Sequence, residues 1–169
     1  MKKNLVAMAA LCLLASPLAQ AADHLKLVPN LDYIKNSWQG PIITGKNMGD
    51  GIVKGMPNYI FFYAEFCYNA KREALRTVEL YHDYGDRVHF VIIDASRPVP
   101  RLAQMPLVHK FFNGDFPHTT ILDKNGKVVF DYTGEVDDAT LIGWMDAAVR
   151  AGSETEKPDR NLPKTTAEN

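Results

Sequence analysis

A single α/β domain, a central mixed β-sheet flanked by helices, is the fold the sequence predicts, and three observations carry it. Residues 59–63, Tyr-Ile-Phe-Phe-Tyr, are apolar or aromatic in an unbroken run, the mark of a strand covered on both faces. After Ala70 the period changes: Ala74, Leu75, Val78 and Tyr81 fall at helical spacing, and a second apolar run, 88–93, follows. Strand, helix and strand then form a βαβ unit, expected to be right-handed with parallel strands. Further on, residues 119–123 and 128–132 are β-rich and flank Lys124-Asn125-Gly126-Lys127, and Asn-Gly between two such runs predicts a hairpin.

The chain opens with Lys2 and Lys3, an apolar run over 5–18, and the small-x-small triplet Ala19-Gln20-Ala21. Residues 1–21 therefore read as a secretory signal peptide, too short to span a membrane, with the bacterial periplasm as the expected destination. A lipid anchor on Cys12 is disfavoured because Leu11 stands where a small residue is wanted. Loss of Lys2 and Lys3 moves the formal net charge from −1 to −3, which gives no reason to expect nucleic acid as a partner. No later run of about 18 apolar residues exists, so the mature form is expected to have no membrane segment. Of the two cysteines, Cys12 departs with the leader and Cys67 remains. A lone thiol in an oxidising compartment is buried and inert, paired with another molecule, or reactive, and no internal disulfide staples the fold.

The remaining elements follow in order. Residues 22–40 read as an N-terminal extension, a strand or short helix packed on the outside of the core, ending at Gly40-Pro41. The glycine-dense stretch 44–58 reads as a loop or loose hairpin; no Gly-Lys-Ser/Thr follows it, so it is a connector without a phosphate site, and no cofactor is expected. Gly85 suits the position just past the first helix. Arg97-Pro98-Val99-Pro100 is an extended connector, and Pro106 fits the first turn of a short helix that ends by Asn113-Gly114. The last helix starts with Asp137 or Asp138 as N-cap, carries Leu141, Trp144, Met145 and Ala148 as its apolar stripe, and stops at Gly152. Residues 152–169 are polar and read as a disordered tail.

Cys67 sits where the strand gives way to the helix. Unpaired N–H groups and the dipole at a helix N-terminus favour a thiolate, so this is where chemistry is prepared. The segment Tyr63-Ala64-Glu65-Phe66-Cys67-Tyr68-Asn69-Ala70-Lys71 resembles the active-site segment of the thioredoxin superfamily, in which Cys-x-x-Cys opens a helix and is followed by Lys. The second cysteine of that pattern is Ala70 here. The resemblance covers about residues 41–151 and implies a thioredoxin-like fold. Asp94, the Phe116-Pro117 step, the hairpin over 124–129 and Gly134 fall at comparable places. It also implies that Pro117 is a cis-proline touching the cysteine.

The resemblance gives Cys67 the role of attacking thiol, with Lys71 and Arg72 close enough to support a thiolate. Ala70 cannot resolve a mixed disulfide, so an outside thiol must. The family's buried aspartate, six residues before the cysteine, is Phe61 here, and the lysine that faces it aligns with Phe90. Both halves of that proton relay are phenylalanine. Phe66, Tyr68, Phe116 and Pro117 are candidates for an apolar groove around the thiol, whereas Tyr63 reads as core. Such a patch would oppose the helix dipole by desolvating the thiolate. His118, next to Pro117, is a candidate neighbour of Cys67 or a structural histidine. His24, His82, His89 and His109 show no ligand spacing with the cysteine, so no metal site is expected, and Glu65 and Asp115 read as solvated.

Two functions follow. In one, an exported monothiol protein forms mixed disulfides at Cys67 with a protein or small-molecule thiol or disulfide partner. In the other, a non-catalytic binding or chaperone-like module uses the groove at Cys67 and Pro117.

Overall fold

The computed structural model describes residues 24–35, 40–45, 48, 51–96 and 102–151. The expected leader with Cys12, the Arg97-Pro98-Val99-Pro100 connector, Gly152 and the expected tail lie outside the described residues.

Strand β1 (Lys26–Leu27) pairs antiparallel with β2 (Ile43–Thr44) in a two-stranded ribbon. Leu25, Ile42 and Ile43 are buried in the main core, and the Tyr33 hydroxyl donates to the Ile42 carbonyl at 2.6 Å. The first described residues thus enter the core through Leu25, although the sequence suggests an element lying outside it. Sequence gives no hint of this: one buried leucine in a short irregular segment has no period.

The main sheet follows from the apolar runs. Strand β3 (Asn58–Tyr63) leads into helix α1 (Tyr68–Tyr84), which returns the chain to β4 (His89–Asp94), parallel to β3. A 3-10 turn (Leu102–Gln104) and the short helix α2 (Met105–Phe111), with Pro106 in its first turn, come next. Strands β5 (His118–Leu122) and β6 (Val128–Thr133) form the expected hairpin, and helix α3 (Asp138–Arg150) closes the fold. The strand order is β4-β3-β5-β6, with β5 antiparallel to β3 and to β6.

Alternation along the strands divides the core into two layers, which is why β3 and β4 are apolar throughout. Tyr59, Phe61, Tyr63, Phe90 and Ile92 face α1 and α3, where they meet Ala70, Ala74, Val78, Leu141, Met145 and Ala148. Ile60, Phe62, Val91 and Ile93 face the other way, against Leu107 of α2. The Asp137 side chain caps α3 by accepting from the Thr140 amide at 2.9 Å. Gly85 does end α1, but with φ −63°, so it needs no left-handed freedom. Its reason is space: a Cβ there would lie 2.6 Å from the Tyr81 carbonyl oxygen.

The hairpin turn uses Gly126 at φ 78° together with a group the sequence does not single out. The buried Asp123 carboxylate accepts from the Asn125 and Lys127 amides at 2.8 and 3.0 Å. Asp123→Ala strands both donors and is expected to cost about 1–3 kcal/mol, read as a lower denaturant midpoint at unchanged slope.

Candidate functional site around Cys67

The site is assembled where the C-terminal end of β3, the N-terminus of α1 and the loop before β5 meet. After Tyr63 the chain makes one tight turn, closed by the Cys67 amide donating to the Ala64 carbonyl at 3.0 Å. Cys67 is the N-cap of α1 in extended conformation (φ −83°, ψ 119°), and its side chain makes no capping bond. Its sulfur is therefore free of the helix backbone, at a helix end with no acidic residue in the first turn. Cys67 is half-buried, and its thiol donates to the Phe116 carbonyl at 3.7 Å.

The loop over 113–117 brings that carbonyl to the cysteine. The Phe116–Pro117 peptide is cis, and the Gly134 amide donates to the Pro117 carbonyl at 2.8 Å. Asn113 fixes the start of the loop: its Oδ1 accepts from the Asp115 amide, and its Nδ2 donates to the Thr133 hydroxyl at 2.7 Å. Aromatic rings line the approach. Phe66 is 57% exposed and meets Phe116 edge to face at 6.3 Å, and Phe116 packs on Phe112 at 5.0 Å. Tyr68 is half-buried beneath the Arg72 guanidinium, which lies 5.6 Å from its ring centre. Pro117 is buried, as is Tyr63.

Of the remaining residues singled out in the sequence, His118 takes the structural alternative and Glu65 departs from its expected place. His118 is buried, and both ring nitrogens are engaged by β5 and β6: Nδ1 with the Thr133 hydroxyl at 2.7 Å, Nε2 with Asp131 at 3.1 Å and Thr120 at 3.3 Å. On the strand it alternates to the α2 face with Phe62, so its nitrogens serve the hairpin and not the thiol. Glu65 is 3% exposed, so the expected solvated carboxylate is a buried one, whereas Asp115 is exposed as expected. Lys71 is fully buried, and its ammonium donates to the Lys35 carbonyl at 3.5 Å. Arg72 pairs with Glu135 at 2.6 Å. Both cations that the sequence offers as support for a thiolate are thus also committed to other partners.

Phe61 and Phe90 are 0% and 2% exposed and lie in the layer facing α1 and α3. Ala70, three residues beyond Cys67 in the first turn, is fully buried beside them. Among the described residues, no group of three or more His, Cys, Asp or Glu is placed to hold a metal ion. Among them, too, no helix is long and apolar enough to cross a membrane.

Sequence reasoning passes over Phe112, which joins Phe116 to the sheet, and a polar cluster on the far side of α1. There Glu73, Arg76, Glu135 and Asp138 tie the helix to the segment before α3. Helical spacing does carry a signal for it: Ala70, Glu73 and Thr77 share the buried face of α1, so a carboxylate in that stripe needs partners.

No protein-family model matches the chain, and no curated relative matches it. Among solved structures it is similar to the pneumococcal exposed lipoprotein thioredoxin Etrx1 of Streptococcus pneumoniae strain TIGR4: identity 18%, TM-score 0.45, covering 56% of this chain and 86% of that one. It is also similar to the thioredoxin of Fasciola hepatica, at 19% identity and TM-score 0.46 over 56% of this chain and 83% of that one. StoA of Bacillus subtilis matches at 17% identity and TM-score 0.45, over 54% and 84%. Likeness at this level says nothing about chemistry. The sheet itself supplies the classification: a parallel β3–β4 pair joined by α1, an antiparallel β5–β6 hairpin beside β3, and α1 and α3 sharing one face. The chain has the thioredoxin-like fold.

Proposed function

We propose that the protein is an exported monothiol thiol–disulfide exchange protein in which Cys67 is the reacting group. The observation that carries this is the position of Cys67: partly buried, at the N-cap of a helix with no acid in its first turn, with its thiol on the Phe116 carbonyl. The Cys67 thiolate attacks one sulfur of a partner disulfide, and the other sulfur leaves as a thiolate that takes up a proton from water. Because Ala70 has no thiol, a second, external thiol attacks the mixed disulfide and releases Cys67. That thiol becomes the oxidised product, so the electrons come from outside the chain. Lys71 and Arg72 support the anionic sulfur at longer range. Phe66, Tyr68, Phe116 and Pro117 seat the segment that bears the partner sulfur. The leader over 1–21 directs the protein to the periplasm, where such disulfides persist.

A second reading, a binding module without redox turnover, draws on one observation: Phe66 stays 57% exposed beside a relay position filled by buried Phe61. The two readings part on the native thiol. With an aromatic disulfide probe whose released thiol absorbs visible light, the folded protein is expected to release one equivalent per chain at neutral pH. Its rate should match or exceed that of the urea-unfolded chain, and Cys67→Ser should release none. A thiol that reacts only after unfolding would leave Cys67 as a packing residue and the binding module as the function.

A further inference from the structure

We propose that Glu73 is a protonation-controlled latch between α1 and the segment 134–137 that leads into α3. As a neutral carboxyl it holds the two together; as a carboxylate it loosens them. The inference does not rest on the exchange reaction at Cys67.

The Glu73 side chain is fully buried. Its Oε2 accepts from the Val136 amide at 3.1 Å and from Arg76 at 3.2 Å, while its Oε1 is buried with no hydrogen-bond partner. An oxygen without a partner costs far more on a carboxylate than on a neutral carboxyl. Among the described residues, charged or titratable neighbours face it from each packed element. From α1 itself comes Arg76, and from the connecting segment Glu135, which takes Arg76 at 3.4 Å and Arg72 at 2.6 Å. From α3 comes Asp138, 3.2 Å from the Arg76 Nε, and from β3 the Tyr59 hydroxyl, bonded to Thr77 at 3.1 Å.

The balance of charge then decides the protonation state. Two guanidinium groups, Arg72 and Arg76, face the carboxylates of Glu135, Asp138 and Glu73. With Glu73 ionised the cluster carries one net negative charge, and with Glu73 neutral it carries none. Burial, the largest influence, pushes the Glu73 carboxyl up to about 7, against the downward pull of the Val136 amide and Arg76. Tyr59 is raised as well, first by its own burial and then by Glu73, and so stays neutral throughout.

The direction of the pH effect follows from linkage. A carboxyl at about 7 in the fold against 4.5 in the open chain binds more proton in the native state between those values. Its stabilising contribution is therefore whole below the lower value and is lost as pH climbs through the upper one.

The test compares the thermal unfolding midpoints of the mature protein and of Glu73→Gln, which keeps the shape and cannot ionise. The midpoint of the variant minus that of the natural chain is expected to rise by about 5 °C between pH 5 and pH 8. A difference that stays flat, or falls, overturns the latch. A carboxyl-carbon titration of the natural chain by NMR keeps the question open to refutation even where the variant does not fold. One glutamate signal is expected to titrate near neutrality, with the Val136 amide losing exchange protection relative to β3 over the same range. Glutamate signals that all titrate below about pH 5 would sink the proposal.

Discussion

Ala70→Cys is expected to turn the protein into a self-resolving disulfide reductase, from no turnover to measurable turnover with an external dithiol as electron source. The new thiol would stand three residues after Cys67 in the first turn of α1, and residues at that spacing share a helix face. After Cys67 attacks a substrate disulfide, the thiolate at position 70 attacks the Cys67 sulfur. An internal disulfide forms, the substrate's second thiol leaves reduced, and the external dithiol restores the pair. Position 70 is fully buried, so the added sulfur must be fitted into a filled core at a cost of up to about 1–3 kcal/mol. A denaturant midpoint should accompany the assay for that reason. The rate is expected to fall short of a complete dithiol site by about a hundredfold, because buried Phe61 and Phe90 carry no proton to or from the resolving thiol. Loss of two hydrogens by mass under mild oxidant, together with reduction of insulin, would register the conversion. A folded variant that forms no internal disulfide would show that the two positions no longer face each other, and the binding reading would gain at the expense of the redox one.

How far the sequence reaches is visible element by element. The two-sided strands, α1, the hairpin and α3 are legible because each writes its period or its turn chemistry into consecutive residues. Asp137 caps α3 and Pro106 opens α2 for reasons local to their own turns. The cysteine at the strand–helix turn is legible for the same reason. Lys71, Glu65 and His118 show where local reading ends. Each is polar and each is buried in the fold, and for two of them the contact comes from elsewhere in the chain: the Lys35 carbonyl lies 36 residues before Lys71, and Asp131 lies 13 after His118. Burial of a polar group is decided by which partner reaches it, and only the fold supplies that partner. Leu25 fails in the opposite sense, an apolar residue without a pattern that the core nonetheless takes in.

Phe61→Asp is expected to unfold the protein or bring it close to unfolding. The substitution restores the residue type that the family resemblance places six residues before the cysteine, so its failure would say why the relay is gone. Phe61 is fully buried in the middle of β3, opposite Ile92 of β4 and Thr119 of β5, with its ring 5.9 Å from that of Tyr63. Removing the ring costs about 3–5 kcal/mol, and burying a carboxylate in its place adds several more. The sum takes most of the roughly 5–15 kcal/mol that holds an ordinary domain together. Far-UV circular dichroism and a urea midpoint would read it, and Phe61→Leu, which keeps an apolar side chain, should lose only about 1–2 kcal/mol. A Phe61→Asp protein with a near-natural midpoint would mean that water reaches this layer. A proton could then pass beneath α1, and the case for an external resolving thiol would rest on Ala70 alone. If the variant collapses as expected, the layer under Cys67 is sealed against protons as well as lacking a second thiol. Any release of a partner from Cys67 must then be driven from the exposed side, past Phe66 and Phe116.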